Sequence, residues 1–381
     1  MTIIAYAGDD PTFGLPGISS DFDRAIASSS AFDYIVRSTW LQRGWTYQEN
    51  YLSKRRLFFT EIGLVYTCMS SINLELTGDL PPISESTVAF VINDGRTRGV
   101  PNSLKAALYK AEEIMKGYSI RRLSHKSDSL NAIVGVLNTL STRQYPVRHI
   151  WGVPFTTKKK ANDRIVRIAL NWYSETPGTR RSGFPSWSSL GWTSIISPST
   201  SLDGPYSCSG DFNLEIWQNN MFQDISKIEE GYQDAHCMDP ESQRLRITAY
   251  SVLLDASPWI EPDGHINHQF RSPGTDDLAL HIEPYWDDYG GFDSQPDASV
   301  SLGNQPVLCV FHSARSRSGL ILKCCGKYYE RVGWFVMHER LDSSLFQRSS
   351  EELRDKSLPG ESEAAVASQS RLIQRRTIEL R

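Results

Sequence analysis

The sequence predicts a mixed α+β fold, and three observations carry that reading. Apolar residues recur at helical spacing in three segments before residue 180. Runs alternating apolar and polar residues dominate between 244 and 337. Turn-rich stretches separate the two regimes. With 381 residues, 40% hydrophobic and 22% charged, the chain has ordinary globular composition and enough apolar material for a sizeable core in two or three domains.

Residues 2–7, TIIAYA, read as a short buried strand, and 8–17, GDDPTFGLPG, as a turn-rich loop. The densest information lies in 37–68. Thr39 is expected to cap a helix, with Gln42 answering three residues on. Leu41, Trp45, Gln48 and Leu52 then share one face, which makes Trp45 and Gln48 core residues. Trp40, Gly44, Tyr47 and Tyr51 line the neighbouring stripe. A mid-helix Gly44 costs roughly 1 kcal/mol against alanine, a cost met where another backbone packs closely. The helix ends near Ser53, and strands follow at 56–60 and 64–68 with Gly63 in the turn.

From 71 to 100 the pattern is irregular, with Pro81-Pro82 as a stop. A helix over 103–116 is capped by Asn102 or Ser103 and turns Leu104, Leu108, Ala111 and Met115 inward. A second, capped by Ser127 or Asp128, turns Leu130, Ile133, Val134, Leu137 and Leu140 inward. Arg121, Asp128 and Asn131 are expected to tie its start to the preceding loop. Ile165, Ile168, Ala169 and Trp172 predict a third helix over 162–173. Strands are expected at 244–256, 306–313, 319–325 and 328–337. The intervening 257–305, rich in Asp, Gly and Pro, reads as a long surface excursion. From about 347 the tail is charged and has no aromatic after Phe346, so it is expected to be flexible or loosely helical.

The net charge of −4 gives no general attraction to nucleic acid or anionic membranes. No apolar run reaches the roughly 18–20 residues of a membrane span, and the N-terminus lacks the pattern of a secretory signal. The six cysteines are scattered without a C-x-x-C pair, which points to reduced thiols in an intracellular, cytoplasmic protein. Arg180-Arg181 could hold a phosphate or simply be solvated. Lys158 to Lys160 is a short basic run in a loop, without the interleaved aromatics of a single-strand binder. His265 and His268 have no further ligands nearby, so no metal is expected. Asp287, Asp288 and Asp293 fit no EF-hand. Ser186 and Ser188, flanking Trp187, do not form a nucleophile elbow. No phosphate-cradling glycine loop is present, and no cofactor is expected. Glu49, with Arg43, Arg55 and Arg56 close by, could be a catalytic or ligand-gripping carboxylate, or an ion pair bracing the helix to the next strand.

R-G-W-T-Y-Q-E at 43–49, then Leu52-Ser53, Arg55, Phe58-Phe59, Tyr66 and Cys68, resembles the closing motif of the fungal heterokaryon incompatibility (HET) domain. Thr2 to Asp10 and Gly14 to Gly17 are similar to the segment before that motif. The run at 118–135, F-P-S-W-S-S-L-G-W at 184–192 (Ser189 standing where an aromatic is commoner), G-L-I-L-K at 319–323 and Y-E-R-V-G-W-F at 329–335 resemble later parts of the same proteins. Two earlier motifs, one like S-Y-x-W-G and one like W-x-D-x-x-C-I-x-Q, are absent.

The resemblance therefore implies that 1–75 is the C-terminal part, a remnant, of an α/β HET domain. A helical connector at 76–180, a β-rich region at 181–346 and a flexible tail at 347–381 would follow. It further implies a role in non-self recognition and regulated cell death, incomplete or inactive in this chain alone. The motif residues are Arg43, Gly44, Trp45, Gln48, Glu49, Leu52, Ser53, Arg55 and Cys68. A distant similarity of the family to TIR domains would make Glu49 the catalytic residue of a complete NAD or nucleotide hydrolase. The alternative is a non-catalytic interaction module. Protein partners, through self-association or a sensor protein, are expected, and nucleic acid is not. No sensor repeat such as WD40 or ankyrin is present.

Overall fold

The computed structural model describes residues 2–5, 38–60, 63–68, 72–76, 101–160, 163–198, 206–208, 212–227, 243–255, 259–260, 266–267, 269–271, 279–287, 306–311, 317–337 and 373–381. Within them the fold is mixed α+β, with its largest sheet in the C-terminal half.

A four-stranded sheet comes first, in the order β1 (Thr2–Ala5), β2 (Arg55–Thr60), β3 (Gly63–Cys68), β4 (Ile72–Leu76). Only the β1–β2 pair is parallel. Between β1 and β2 lie a single turn, α1 (Thr39–Gln42), and helix α2 (Gly44–Leu52). Strand β4 falls where an irregular stretch was expected; the rest of 71–100, and the loop at 8–17, lie outside the described residues.

The expected continuous helix is broken. Ser38, not Thr39, is the cap, and its Oγ accepts from Leu41 N at 3.2 Å. Arg43 is extended (ψ 138°), so α1 and α2 are separate. The Thr46 hydroxyl closes the step by donating to the carbonyls of Arg43 and Trp40. Because Arg43 resets the phase, the stripe through Gly44 and Tyr47 is buried, whereas Trp45 and Leu52 are 39% and 43% exposed. The expectation that Trp45 belongs to the core is thereby overturned. Trp40 meets Phe58 edge-on at 5.7 Å, and buried Arg56 donates to Asn50 Oδ1, so the helical segment leans on β2 through those pairs.

Helix α3 (Leu104–Ser119) is capped by Ser103, whose Oγ accepts from Ala106 N at 3.2 Å. A 3₁₀ turn at Lys126–Ser129 leads into α4 (Asn131–Ser141). Neither Ser127 nor Asp128 caps α4; its N-cap position is Leu130, without a side-chain cap bond. Ala132, Ile133, Val136, Leu137 and Leu140 are buried, while Val134 is only half-buried.

A second antiparallel sheet runs β10 (Tyr206–Cys208), β7 (Asp163–Ile168), β6 (Val153–Lys160), β5 (Arg148–Ile150). Strand β7 replaces the third expected helix, with β8 (Trp172–Ser174) after it, paired to β9 (Ile196–Pro198). Val166 and Ile168 are buried and Arg167 is half-buried. That period of two suits β-branched residues on a sheet. Lys158 to Lys160 end β6 rather than forming a loop.

The large sheet includes β11 (Asn213–Gln218), β12 (Met221–Asp224), β13 (Leu245–Leu254), β17 (Ala279–Trp286), β18 (Val307–Phe311), β19 (Ser318–Cys324) and β20 (Tyr329–Met337). The expected surface excursion thus contains a sheet strand, β17, and shorter pieces at Trp259–Ile260, Ile266–Asn267 and Gln269–Arg271. The end of the expected flexible tail is also a strand, β21 (Gln374–Leu380). It pairs antiparallel with β13 over seven positions and touches β20 in parallel at Tyr329↔Leu380. The path β13–β18–β19–β20–β21 therefore returns to its start as a ring. Ile378 and Leu380 enter a core shared with Leu245, Ile247, Leu308, Leu320 and Trp334, and that core continues through α3, α4, β6 and β7 to Tyr47.

Cys68, Cys309, Cys324 and Cys325 are free thiols. No described helix is long and apolar enough to cross a membrane.

Two buried titratable groups give the fold a pH response. Burial, helped by Glu113, lifts the carboxyl of Glu112 on α3 from its ordinary 4.5 to about 8. Burial lowers His149 from 6.5 to about 4. Glu112 binds its proton more tightly folded than unfolded, so its contribution falls as pH rises from 4.5 to about 8. His149 binds its proton more weakly folded, so its contribution falls as pH drops from 6.5 to about 4. The two slopes oppose each other between 4.5 and 6.5. Thermal melts across pH are expected to give a plateau there and a decline on either side. Glu112→Gln should flatten the alkaline decline and leave the acid one.

Candidate functional site: the cleft where three motif segments meet

The segment 43–49, the segment 118–135 and the loop 184–192 are far apart in sequence but converge. Gly44 begins the contact. Its N–H donates to Arg122 O at 2.7 Å, and Arg122 N donates to Gln42 O at 2.7 Å, a two-bond clasp between the α1–α2 step and the loop after α3. A Cβ at Gly44 would lie 2.4 Å from Leu123 Cδ2 and 3.4 Å from Arg122 O. The close backbone approach expected at this glycine is therefore present, although Gly44 is the first residue of its helix rather than a middle one.

Tyr47 is the second contact. It is buried, donates from its hydroxyl to Ile114 O at 3.0 Å and meets Tyr118 edge-on at 5.6 Å, with the Arg121 guanidinium 5.3 Å over its ring. Helix α2 lies along α4 at Gly135, where an added Cβ would be 2.7 Å from Gln48 Oε1. Trp45 Nε1 donates to Asp128 Oδ2 at 3.2 Å, so Asp128 ties its own turn to α2, a partner the sequence reading did not assign to it, while Asn131 is exposed.

The loop 184–192 closes the third side. Tyr118 OH donates to Ser129 O (2.8 Å), and Ser129 Oγ donates to Leu190 O (3.0 Å). Arg181 donates through Nη1 to Leu190 O (2.9 Å) and to Trp192 O, and its N–H donates to Gly191 O (2.7 Å). Arg180 instead reaches Phe184 O (3.0 Å) and Glu330 (3.5 Å). Ser188 Oγ donates to Trp151 O at 2.6 Å, and Trp187 Nε1 to Gln243 O at 3.0 Å.

Beside these contacts is a narrow cleft, open at its mouth, whose interior has room for about one water molecule. Its polar lining is Tyr118, Ser119, Arg121, Ser129, Arg181 and Ser189, closed by Met115, Leu123, Leu190, Trp192 and Ile196. Two guanidinium groups line it and no carboxylate does. Burial raises the Tyr118 phenol above its ordinary range, so it stays a neutral hydrogen-bond donor, and burial lowers Arg181, which neighbouring Tyr118 opposes. Arg181 Nε is buried and meets no partner among the described residues.

Other motif residues sit elsewhere. Arg43, Glu49 and Arg55 are exposed, Gln48, Ser53 and Cys68 are half-buried, and none of them lines the cleft. Asp287 is fully buried and ion-paired with Arg331; Asp288, Asp293, His265 and His268 lie outside the described residues. Tyr118 and Ser129 are not singled out by the sequence, and Ser189 only as the place where an aromatic is commoner. Their only signal was membership of the segments at 118–135 and 184–192. Trp45→Ala is expected to cost about 1–2 kcal/mol, through the covered part of the ring and the bond to Asp128, well below the cost of deleting a fully buried tryptophan; chemical denaturation checks it.

No family model, no curated protein and no solved structure matches the chain.

Proposed function

We propose that this chain acts in fungal non-self recognition and regulated cell death as a HET-type protein, with protein partners supplying the trigger. The observation that supports this reading most is the convergence just described. Three segments that resemble HET-protein motifs, separated by up to about 140 residues, pack against one another: 118–135 and 184–192 contribute to the walls of the cleft, and 43–49 packs on the loop at Arg122 and Leu123. Gly44, the motif residue with least tolerance for a side chain, sits at the closest of those contacts.

A non-catalytic interaction role is the second reading, and a specific observation favours it over hydrolysis. Glu49 is exposed on α2 and does not line the cleft. Glu49→Gln is expected to leave folding and any death phenotype unchanged. Loss of NAD turnover in that variant would restore the hydrolase reading.

The test is inducible expression of the full chain in a filamentous fungal host, with vital-dye uptake scored in single hyphae and in fusions between differing strains. Death in either setting, weakened by Gly44→Leu at matched protein level, supports the proposal. Normal growth and normal fusion with the chain abundantly present overturns it.

A further inference from the structure

We propose that the first sheet with its helices, residues 38–76 as far as they are described, opens as a unit of its own, bolted to the rest of the fold by Tyr47, and that its opening uncovers the Tyr118 and Leu123 side of the cleft. Among the described residues, strands β1 to β4 pair only with one another, and none of them joins the sheets that follow. The unit also has buried side chains of its own. Leu41 and Phe58 are buried, yet neither belongs to the large core that runs from α3 to β21. Phe58 meets Trp40 edge-on at 5.7 Å, and Arg56 holds Asn50, so helix and sheet are tied to each other inside the unit.

The attachment is narrow. Of the described residues before 101, Tyr47 is the one buried side chain in the large core, and half-buried Tyr51 packs beside it with ring centroids 6.5 Å apart. The Tyr47 ring meets Tyr118 at 5.6 Å, and its hydroxyl donates to Ile114 O at 3.0 Å. Around that plug lie polar contacts, the clasp of Gln42 and Gly44 with Arg122 and the exposed bond from Trp45 to Asp128. Gln48 and Leu52 lie against Gly135 of α4, which has no side chain to cover them. A joint with little apolar contact and hydrogen bonds within reach of water is where a fold opens first, and units within one chain that meet this way move apart by default.

The joint and the cleft share a wall. Tyr118, Arg121 and Leu123 receive Tyr47 and Gly44 on one side and line the cleft on the other. Tyr118 also holds Ser129 O, and Ser129 holds Leu190 O, so the loop 184–192 is connected to Tyr47 through Tyr118 and Ser129. Opening the unit therefore bares Tyr118 and Leu123 and removes the support behind that wall. Gly44 belongs to the same device, because a side chain there meets Leu123 Cδ2 at 2.4 Å and wedges the joint. This inference is independent of the cell-death reading.

The test is native-state hydrogen exchange of the full chain, read peptide by peptide by mass spectrometry across sub-denaturing urea. Amides in 44–52 and 55–60 are expected to share one opening. It should be at least about tenfold more populated than the opening that exposes 245–254 and 307–311, with a shallower urea dependence. Two variants separate the units. Ile378→Val, in the large core, should speed exchange of 245–254 and 307–311 roughly fivefold. It should leave 44–52 and 55–60 at the wild-type rate, because the local opening keeps Ile378 packed. Tyr47→Phe keeps the ring and removes the bond to Ile114 O, so it should speed 44–52 and 55–60 roughly fivefold. One common opening free energy and urea slope for all four regions overturns the proposal. So does acceleration of 55–60 by Ile378→Val, or wild-type exchange of 44–52 and 55–60 in folded Tyr47→Phe.

Discussion

Replacing Arg331 with methionine is expected to lower the free energy of unfolding by about 3–5 kcal/mol, because one member of a buried ion pair is removed and the other is stranded. Arg331 and Asp287 are both fully buried and lie 3.1 Å apart through Nε and Oδ2. The guanidinium also donates to Leu170 O (2.9 Å) and Trp172 O (2.5 Å), and stacks 3.4 Å over the Trp172 ring. One side chain on β20 thus joins β8, the chain leading into it and the end of β17. Without it, a carboxylate and two carbonyls lose charge-assisted donors in a dry interior. The double variant Arg331→Met with Asp287→Leu should be more stable than Arg331→Met alone, since the stranded charge goes too. Urea denaturation measures both. A cost under about 1 kcal/mol for the single variant would show that the pair is solvated in solution.

Trp187→Ala is expected to cost about 3–5 kcal/mol, the usual range for deleting a buried tryptophan. Trp187 has no exposed surface and donates its indole N–H to Gln243 O, just before β13. Its neighbours are equally committed. Ser186 Oγ accepts from Arg331 N at 2.9 Å, Ser186 N donates to Arg381 O at 3.1 Å, and Ser188 holds Trp151 O. A cavity at Trp187 therefore loosens the loop that also forms one wall of the cleft. Trp187→Phe should recover most of the loss while still lacking the bond to the Gln243 carbonyl, so what Trp187→Phe still loses against the wild type contains the indole bond. Chemical denaturation of both variants checks it.

Much of the fold is legible in the chain. The apolar runs of β13, β18, β19 and β20 place each strand within a residue or two, because these strands are buried along most of their length, β18 at every position. Helix α3 and its Ser103 cap are legible for the same reason. The misreadings have local causes. Ile165, Ile168, Ala169 and Trp172 fit a helical stripe by coincidence, while Val166 and Ile168 also fit a period of two, and the β-branched residues decide for the strand. Leu41 and Trp45 seem in phase only if the helix is continuous, and the extended Arg43 breaks it. In β21, Q-R-R-T-I-E-L shows a single apolar alternation, and its partner in β13 lies more than 120 residues away, as the 123-residue separation of Ser251 and Gln374 shows. The cleft was invisible for a related reason: its walls come from 115–129 and 181–196, and a sequence gives no register between them.

The ring closed by β21 also governs how the protein is made. At roughly 5–20 residues per second, the ribosome leaves one edge of β13 without its partner for roughly six to twenty-five seconds after that strand emerges. During that interval the nascent chain presents an open row of amide and carbonyl groups beside Leu245, Ile247 and Ala249. An unpaired edge of this kind is a template for pairing with another chain until β21 arrives.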